Sequence, residues 1–160
     1  MPGMDEDRLS EVLDEAECRQ LLGRAVVGRI GFTEGALPAI QPVSFALAEE
    51  EIVIPTRQGS KVAVASRGAI VAFEVDEYDP VDRTGWNVTV VGPSRVISDA
   101  GQVRALDELG ARAWPPADNC CYVAVRIRLL RGRRIRRRPT EEEQVSAVDA
   151  HPATVRILPV

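Results

Sequence analysis

Six apolar segments with the character of β-strands succeed one another along this chain, and only short turns or short helical stretches separate them. They are Ala25–Phe32, Pro38–Leu47, Ile52–Ile54, Ala69–Asp76, Trp86–Ile97 and Cys121–Leu130. Alternation sets the faces: Val26, Ile30 and Phe32 on the first, Val43, Phe45 and Leu47 on the second, and Val123, Val125, Ile127 and Leu129 on the last. Glu34-Gly35 and Glu49-Glu50 are turns, so the first three strands read as an antiparallel meander. Pro38 and Pro42 cannot donate ladder bonds, which predicts an open or irregular edge on the second strand. The apolar start of Ala69–Asp76 predicts burial on both faces there, and Gly92-Pro93 predicts a bend in the fifth strand.

Three short helices punctuate the strands. Asp14 and Glu17 form a capping box ahead of Cys18, Leu21 and Leu22, with Gly23 as the stop. A second helix follows Ser60 and runs to about Arg67, where Gly68 ends it, with Val62, Val64 and Ala65 free to pack. A third starts at Asp99 with Gln102, carries Val103, Leu106 and Leu109, and ends at Gly110. Trp114 to Asn119 is a proline-stiffened loop. The order α-β-β-β-α-β-β-α-β, with strands dominant, closes into a small antiparallel barrel. At 160 residues it is one domain.

Composition excludes several kinds of chemistry. The cysteines, Cys18, Cys120 and Cys121, are odd in number and two are adjacent, so they are not a disulfide framework. His151 is the only histidine and lies in the tail, which leaves no set of metal ligands and no Ser-His-Asp triad. No apolar run reaches the length of a membrane span, and a cytoplasmic address is expected. Eight arginines fall between Arg126 and Arg138, but the sequence pI is about 5.1 and no stacking aromatics interleave them. Such a run is the footprint of nucleic-acid binding, but Glu141 to Glu143 follow at once and can neutralise it, so nucleic-acid binding is not expected.

One feature is chemically specific. Lys61 is the only lysine, and it follows Thr56-Arg57-Gln58-Gly59-Ser60 at a strand-to-helix junction. Backbone N–H groups at a helix start, two hydroxyls, a guanidinium and an ammonium suit a dianionic phosphate monoester. The competing reading is a capped helix with a solvated lysine. The junction is not a Walker loop, because Ser60 precedes the lysine and Val62 follows it, which disfavours a nucleoside triphosphate with its magnesium.

The ordered set of segments resembles a known family. It comprises Glu17-Cys18 with Leu21-Leu22, Val27 to Phe32, Pro42-Val43-Ser44-Phe45, Thr56 with Gly59-Ser60-Lys61, Val71 to Asp76, Gly85-Trp86 with Val88, Val90 and Gly92, and Gly132-Arg133-Arg134-Ile135. Together these are similar to the pyridoxamine 5′-phosphate oxidase-like, FMN-binding split-barrel proteins, above all their actinobacterial branch. The resemblance implies a mainly β fold with short helices: a six-stranded antiparallel split β-barrel, homodimeric, with a flavin site at each side of the subunit interface. It implies a flexible N-terminus over 1–8, the barrel domain over 9–138 and a tail over 139–160. Ser60 and Lys61 would hold the FMN phosphate, with Thr56 and Arg57 at its edge. Pro42, Val43, Ser44 and Phe45 would run along the isoalloxazine, Trp86 would lie at the interface near a flavin bound mainly by the partner, and Trp114 would cover the ring or close the substrate side.

The implied activity is flavin-mediated hydride transfer to or from a small organic substrate. The alternatives are a 5-deazaflavin cofactor on the same fold and a non-catalytic flavin or vitamin-phosphate binder. No catalytic acid or base is assigned. The substrate-phosphate contacts of the named oxidase are not found in the sequence, so pyridoxamine phosphate is not the expected substrate.

Overall fold

The computed structural model describes residues 10–137. The expected flexible segment 1–8 and tail 139–160, with His151 and Glu141 to Glu143, lie outside them. Among the described residues no helix is long and apolar enough to cross a membrane.

Nine strands form one antiparallel sheet system: β1 (Ser10–Leu13), β2 (Val27–Glu34), β3 (Leu37–Ser44), β4 (Ala46–Ala48), β5 (Glu51–Arg57), β6 (Ile70–Asp79), β7 (Thr84–Ile97), β8 (Cys120–Arg126) and β9 (Leu129–Ile135). Three short helices accompany them: α1 (Glu15–Arg24), α2 (Lys61–Ala65) and α3 (Ala100–Asp107). Every one of the six expected strands is present. The second divides into β3 and β4, the last divides into β8 and β9, and β1 is added by pairing with β9.

The main path of neighbours is β3-β2-β6-β7-β8-β5-β4: both hairpins of the expected meander are present, β2 with β3 and β4 with β5, but its middle strand is split, so β5 pairs with β4 and not with β3. The two ends of that path are consecutive in the chain and separated only by Phe45. The barrel is therefore closed by chain continuity at Phe45, whose N–H bonds the Val26 carbonyl at 3.2 Å and whose ring meets Phe73 edge-on at 4.7 Å. β3 is an edge strand, as its two prolines require.

The long strand β7 serves two halves. Its first part pairs with β6 as far as Pro93 and with β9 as far as Val91, and its last part pairs with β8 from Ser94 onward. The change of partner falls at Gly92-Pro93, where the bend was expected. The core is built from Ile30, Phe32, Phe45, Ile52, Ile54, Phe73, Val75, Val88, Val90 and Val123. A smaller cluster on the outer side of the sheet joins Val53, Ile97, Tyr122 and Ala124 to Val103 and Leu106 of α3. This second layer is why β8, and not the start of β6, is buried on both faces: Cys121 to Val125 are all inaccessible, while Ile70 is exposed.

Local expectations fail where a neighbour outweighs sequence pattern. Val26 is exposed because β2 begins one residue later. Gly23 lies inside α1, which continues to Arg24 and stops on an extended Ala25. In α2, Val62 and Ala63 are buried while Val64 faces out, and the helix ends at Ala65, short of Arg67. Leu129 is half exposed because the chain kinks between β8 and β9. Two arginines at the end of the basic run are paired from the N-terminal side: Arg134 lies 3.2 Å from Glu17 and 3.6 Å from Glu11, and Arg136 also meets Glu11. The guanidinium of Arg136 holds the Glu11 carboxyl below the usual range.

The capping box of α1 is complete, with Asp14 accepting from the Glu17 N–H at 2.8 Å and Glu17 accepting from the Asp14 N–H at 3.2 Å. Asp14→Ala is expected to cost about 1 kcal/mol in urea unfolding followed by circular dichroism.

Candidate functional site

The junction after β5 is shaped by Gly59, whose φ of 75 turns the chain in a conformation that side chains disfavour. The Ser60 N–H then bonds the Arg57 carbonyl at 3.0 Å, and Ser60 becomes the N-cap of α2. Its Oγ accepts from the Ala63 N–H at 3.2 Å and lies 2.9 Å from Oγ1 of Thr56. Two hydroxyls thus converge at a helix start, where backbone N–H groups lack intrahelical partners. The Lys61 ammonium is 3.1 Å from the Glu34 carboxylate, and its side chain is 74% exposed. An ion pair so open to water is worth little, so Lys61 is available to a stronger anion.

Arg57 is not on the same side as this pair. Across the β5–β8 ladder, Thr56 stands opposite Cys121, while Pro55 and Arg57 stand opposite Tyr122 and Cys120. Directly opposed residues share a face and successive residues alternate. Thr56 therefore faces the barrel side, and Arg57 the outer side with Pro55 and Tyr122.

In the Pro42–Phe45 segment, Val43 and Phe45 are buried in the core, and Pro42 and Ser44 take the other face of the edge strand. Ser44 Oγ donates to the backbone carbonyl of Arg112, in the loop after α3. The far side of that loop is tied to the phosphate junction, where the Gln58 N–H bonds the Asn119 carbonyl at 2.9 Å. Loop 111–119 thus joins both segments expected to hold the ligand.

Beneath this loop and α3 lies an open cavity of about 510 Å³, on the outer face of β5 and β8. Pro55 and Tyr122 line it together with Asp107, Arg112, Asp118 and Asn119. Tyr122 is fully buried and its hydroxyl donates to Asp107 Oδ1 at 2.7 Å. Burial, then the hydrogen bond to the Asp107 carboxylate, pushes the phenol far above its ordinary range, so it stays neutral. Sequence reasoning did not assign this cavity. A tyrosine inside an aliphatic strand was its one signal, since such a ring needs a partner for its hydroxyl.

Trp86 is elsewhere. It stands between Glu77 of β6 and Arg134 of β9, half buried against the core, and borders a separate groove of about 400 Å³ with Tyr78, Asn87 and Arg133. Within one chain it belongs to the β6–β7–β9 half of the barrel, while Thr56 and Ser60 belong to the β5–α2 side. Trp114 is exposed in loop 111–119. Among the described residues no group of acids, cysteines or histidines could hold a metal ion. Burial raises the thiols of Cys18 and Cys121 above their ordinary range, which makes both poor nucleophiles.

The family model described as pyridoxamine 5′-phosphate oxidase matches residues 14–156, nearly the whole chain. The chain belongs to the pyridoxamine 5′-phosphate oxidase family. It is 38% identical over 128 residues to the uncharacterized protein Rv0080 of Mycobacterium tuberculosis, covering 77% of this chain and 84% of the relative. Among solved structures it is similar to the FAD binding protein from Mycobacterium smegmatis, with a TM-score of 0.65 and 28% identity over 79% of this chain and 100% of that one. It is likewise similar to a conserved protein of unknown function from Corynebacterium diphtheriae, with a TM-score of 0.66 and 28% identity over 79% of this chain and 98% of that one. The two solved structures share the fold described above.

Proposed function

We propose that this protein is a cytoplasmic FMN-binding oxidoreductase that acts as a homodimer, with the flavin phosphate held by Thr56, Ser60 and Lys61. The observation that carries the reading is the pair of hydroxyls 2.9 Å apart at the start of α2, beside an exposed lysine that has no strong partner. This donor set fits a phosphate monoester in number, charge and kind. The edge strand Pro42–Phe45 offers an open row of backbone groups to the polar rim of the ring, and Pro42 and Ser44 line its outer face. Family membership and the flavin ligand named for the Mycobacterium smegmatis relative support the same assignment.

When bound, a flavin supplies reversible hydride transfer, which no side chain of this protein can perform. The chain's part is to anchor, orient and shield. Lys61 neutralises the phosphate, Ser60 and Thr56 direct hydrogen bonds to it, and Val43 and Phe45 make the strand behind the ring rigid by burial. Trp86 of the partner subunit meets the flavin from across the interface, which reconciles its position with that of the phosphate residues.

Arg57 favours a second reading. Its place on the outer side, opposite that of Thr56, suits the longer anionic tail of a 5-deazaflavin cofactor. Titration of the purified chain with each cofactor, followed by absorbance and fluorescence, separates the two. Saturable FMN binding at one per chain is expected, with sedimentation reporting a dimer. Binding of the deazaflavin alone moves the protein to the second reading, and binding of neither removes the flavin assignment.

A further inference from the structure

Glu34 is out of place in its strand. Along β2 the alternate positions Ile30 and Phe32 are buried in the barrel, and Glu34 is the next residue on that same face. The face therefore ends on a carboxylate, beside α2, which packs against β2. There Glu34 meets the ammonium of Lys61 at 3.1 Å, and among the described residues no other carboxylate pairs with this lysine. The turn that follows holds Glu34 in place. Gly35 and Ala36 have φ of 54 and 65, and Leu37 stands opposite Glu34 in the ladder. Two consecutive left-handed residues make the tight hairpin connection that follows the twist of its strands. The backbone there is short and tightly turned, so the carboxylate leaves Lys61 by rotation of its own side chain.

We infer that Glu34 sets the affinity for the cofactor's phosphate: it is an internal carboxylate that occupies Lys61 until a phosphate displaces it, and it keeps the cofactor exchangeable. This rests on the reading of Thr56, Ser60 and Lys61 as the phosphate residues. Lys61 is the only lysine of the chain, and it has two anions to serve. Its pair with Glu34 is open to water on both sides, 74% and 47% exposed, so it breaks at little cost. A phosphate dianion brings twice the charge to the same ammonium and replaces the carboxylate. The displaced carboxylate stays nearby, because its backbone cannot retreat, and the two anions repel. Competition and repulsion both weaken the binding of a phosphorylated ligand, and neither touches a ligand that lacks the phosphate. A carboxylate that merely orients the lysine would have the opposite sign.

Glu34→Gln keeps the size of the side chain and removes its charge. The test is a fluorescence titration of the full chain with FMN and with riboflavin. The variant is expected to bind FMN about three- to tenfold tighter than the parent chain at low ionic strength, and riboflavin equally well. Concentrated salt is expected to shrink the gain for FMN. Glu49 lies in the turn before β5, at the opposite end of that strand from Thr56. Glu49→Gln changes the net charge by the same amount and is expected to leave both affinities unchanged. Unchanged or weaker FMN binding by folded Glu34→Gln overturns the proposal, as does an equal gain for riboflavin or in Glu49→Gln. If the parent chain binds FMN no better than riboflavin, the phosphate reading falls and this proposal with it. If FMN is preferred and Glu34→Gln gains nothing, the phosphate reading stands and only the role of Glu34 falls.

Discussion

Replacing Lys61 and Ser60 together by alanine is expected to weaken FMN binding about a hundredfold or more while leaving the barrel folded. Lys61 would contribute a charge-assisted bond to the phosphate, worth roughly 1.5–3 kcal/mol, and Ser60 a neutral one of about 1 kcal/mol. Their sum sets the fold-change, since each 1.4 kcal/mol is about tenfold. The folding cost is separate and smaller. Ser60 caps α2 through the Ala63 N–H, a cap worth about 1 kcal/mol, and the exposed Lys61–Glu34 pair adds little. Fluorescence titration with FMN measures the first effect and thermal unfolding the second. Unchanged affinity in a folded double variant would show that the phosphate lies elsewhere.

The second large effect concerns the barrel itself. A Cβ at Gly92 would stand 1.7 Å from the Arg126 carbonyl oxygen and 2.9 Å from its carbon. Both are backbone atoms, held where the Ile127 N–H bonds Glu50 and the Arg128 N–H bonds Val91. No rotamer change can relieve the clash, and this is the point where β7 exchanges β9 for β8 as its partner. Gly92→Ala is expected to destabilise by about 4 kcal/mol or more, a large share of the stability of an ordinary domain. Gly23→Ala is the control: it lies inside α1 with nothing near its Cβ, and should be neutral or stabilising by about 0.5–1 kcal/mol. Urea unfolding of the pair reads both, and a loss below about 1 kcal/mol at Gly92 would contradict the close approach.

Particular residues show why some of this architecture was legible in sequence and some was not. Strands with one buried face announce themselves by alternation, and Asp14, Asp99, Gly68 and Gly110 mark their turns and caps through local chemistry alone. Sheet order is different. The turn at Glu49-Glu50 specifies that β4 pairs with β5, but nothing local reveals that β3 and β4 separate at Phe45 to opposite ends of the path. The strand β1 is four residues long and exists because β9 lies beside it, a partner more than a hundred residues away.

The candidate site divides in the same way. Thr56, Ser60 and Lys61 are close in sequence, and a strand-to-helix junction brings the two hydroxyls together without help from the rest of the fold. Which face Arg57 takes depends on the register between β5 and β8. The bond between Tyr122 and Asp107 depends on how α3 packs against the outside of the barrel. Both are tertiary facts, and they define the cavity.

The central claim, that a flavin is held here through its phosphate, is tested most directly by comparing FMN with riboflavin in a fluorescence titration of the purified chain. The two share the ring system and differ only in the phosphate. The account predicts saturation by FMN at one per chain and binding of riboflavin weaker by about a hundredfold, the difference that the Thr56–Ser60–Lys61 contacts should make. Equal affinities for the two, or binding of neither, would contradict it.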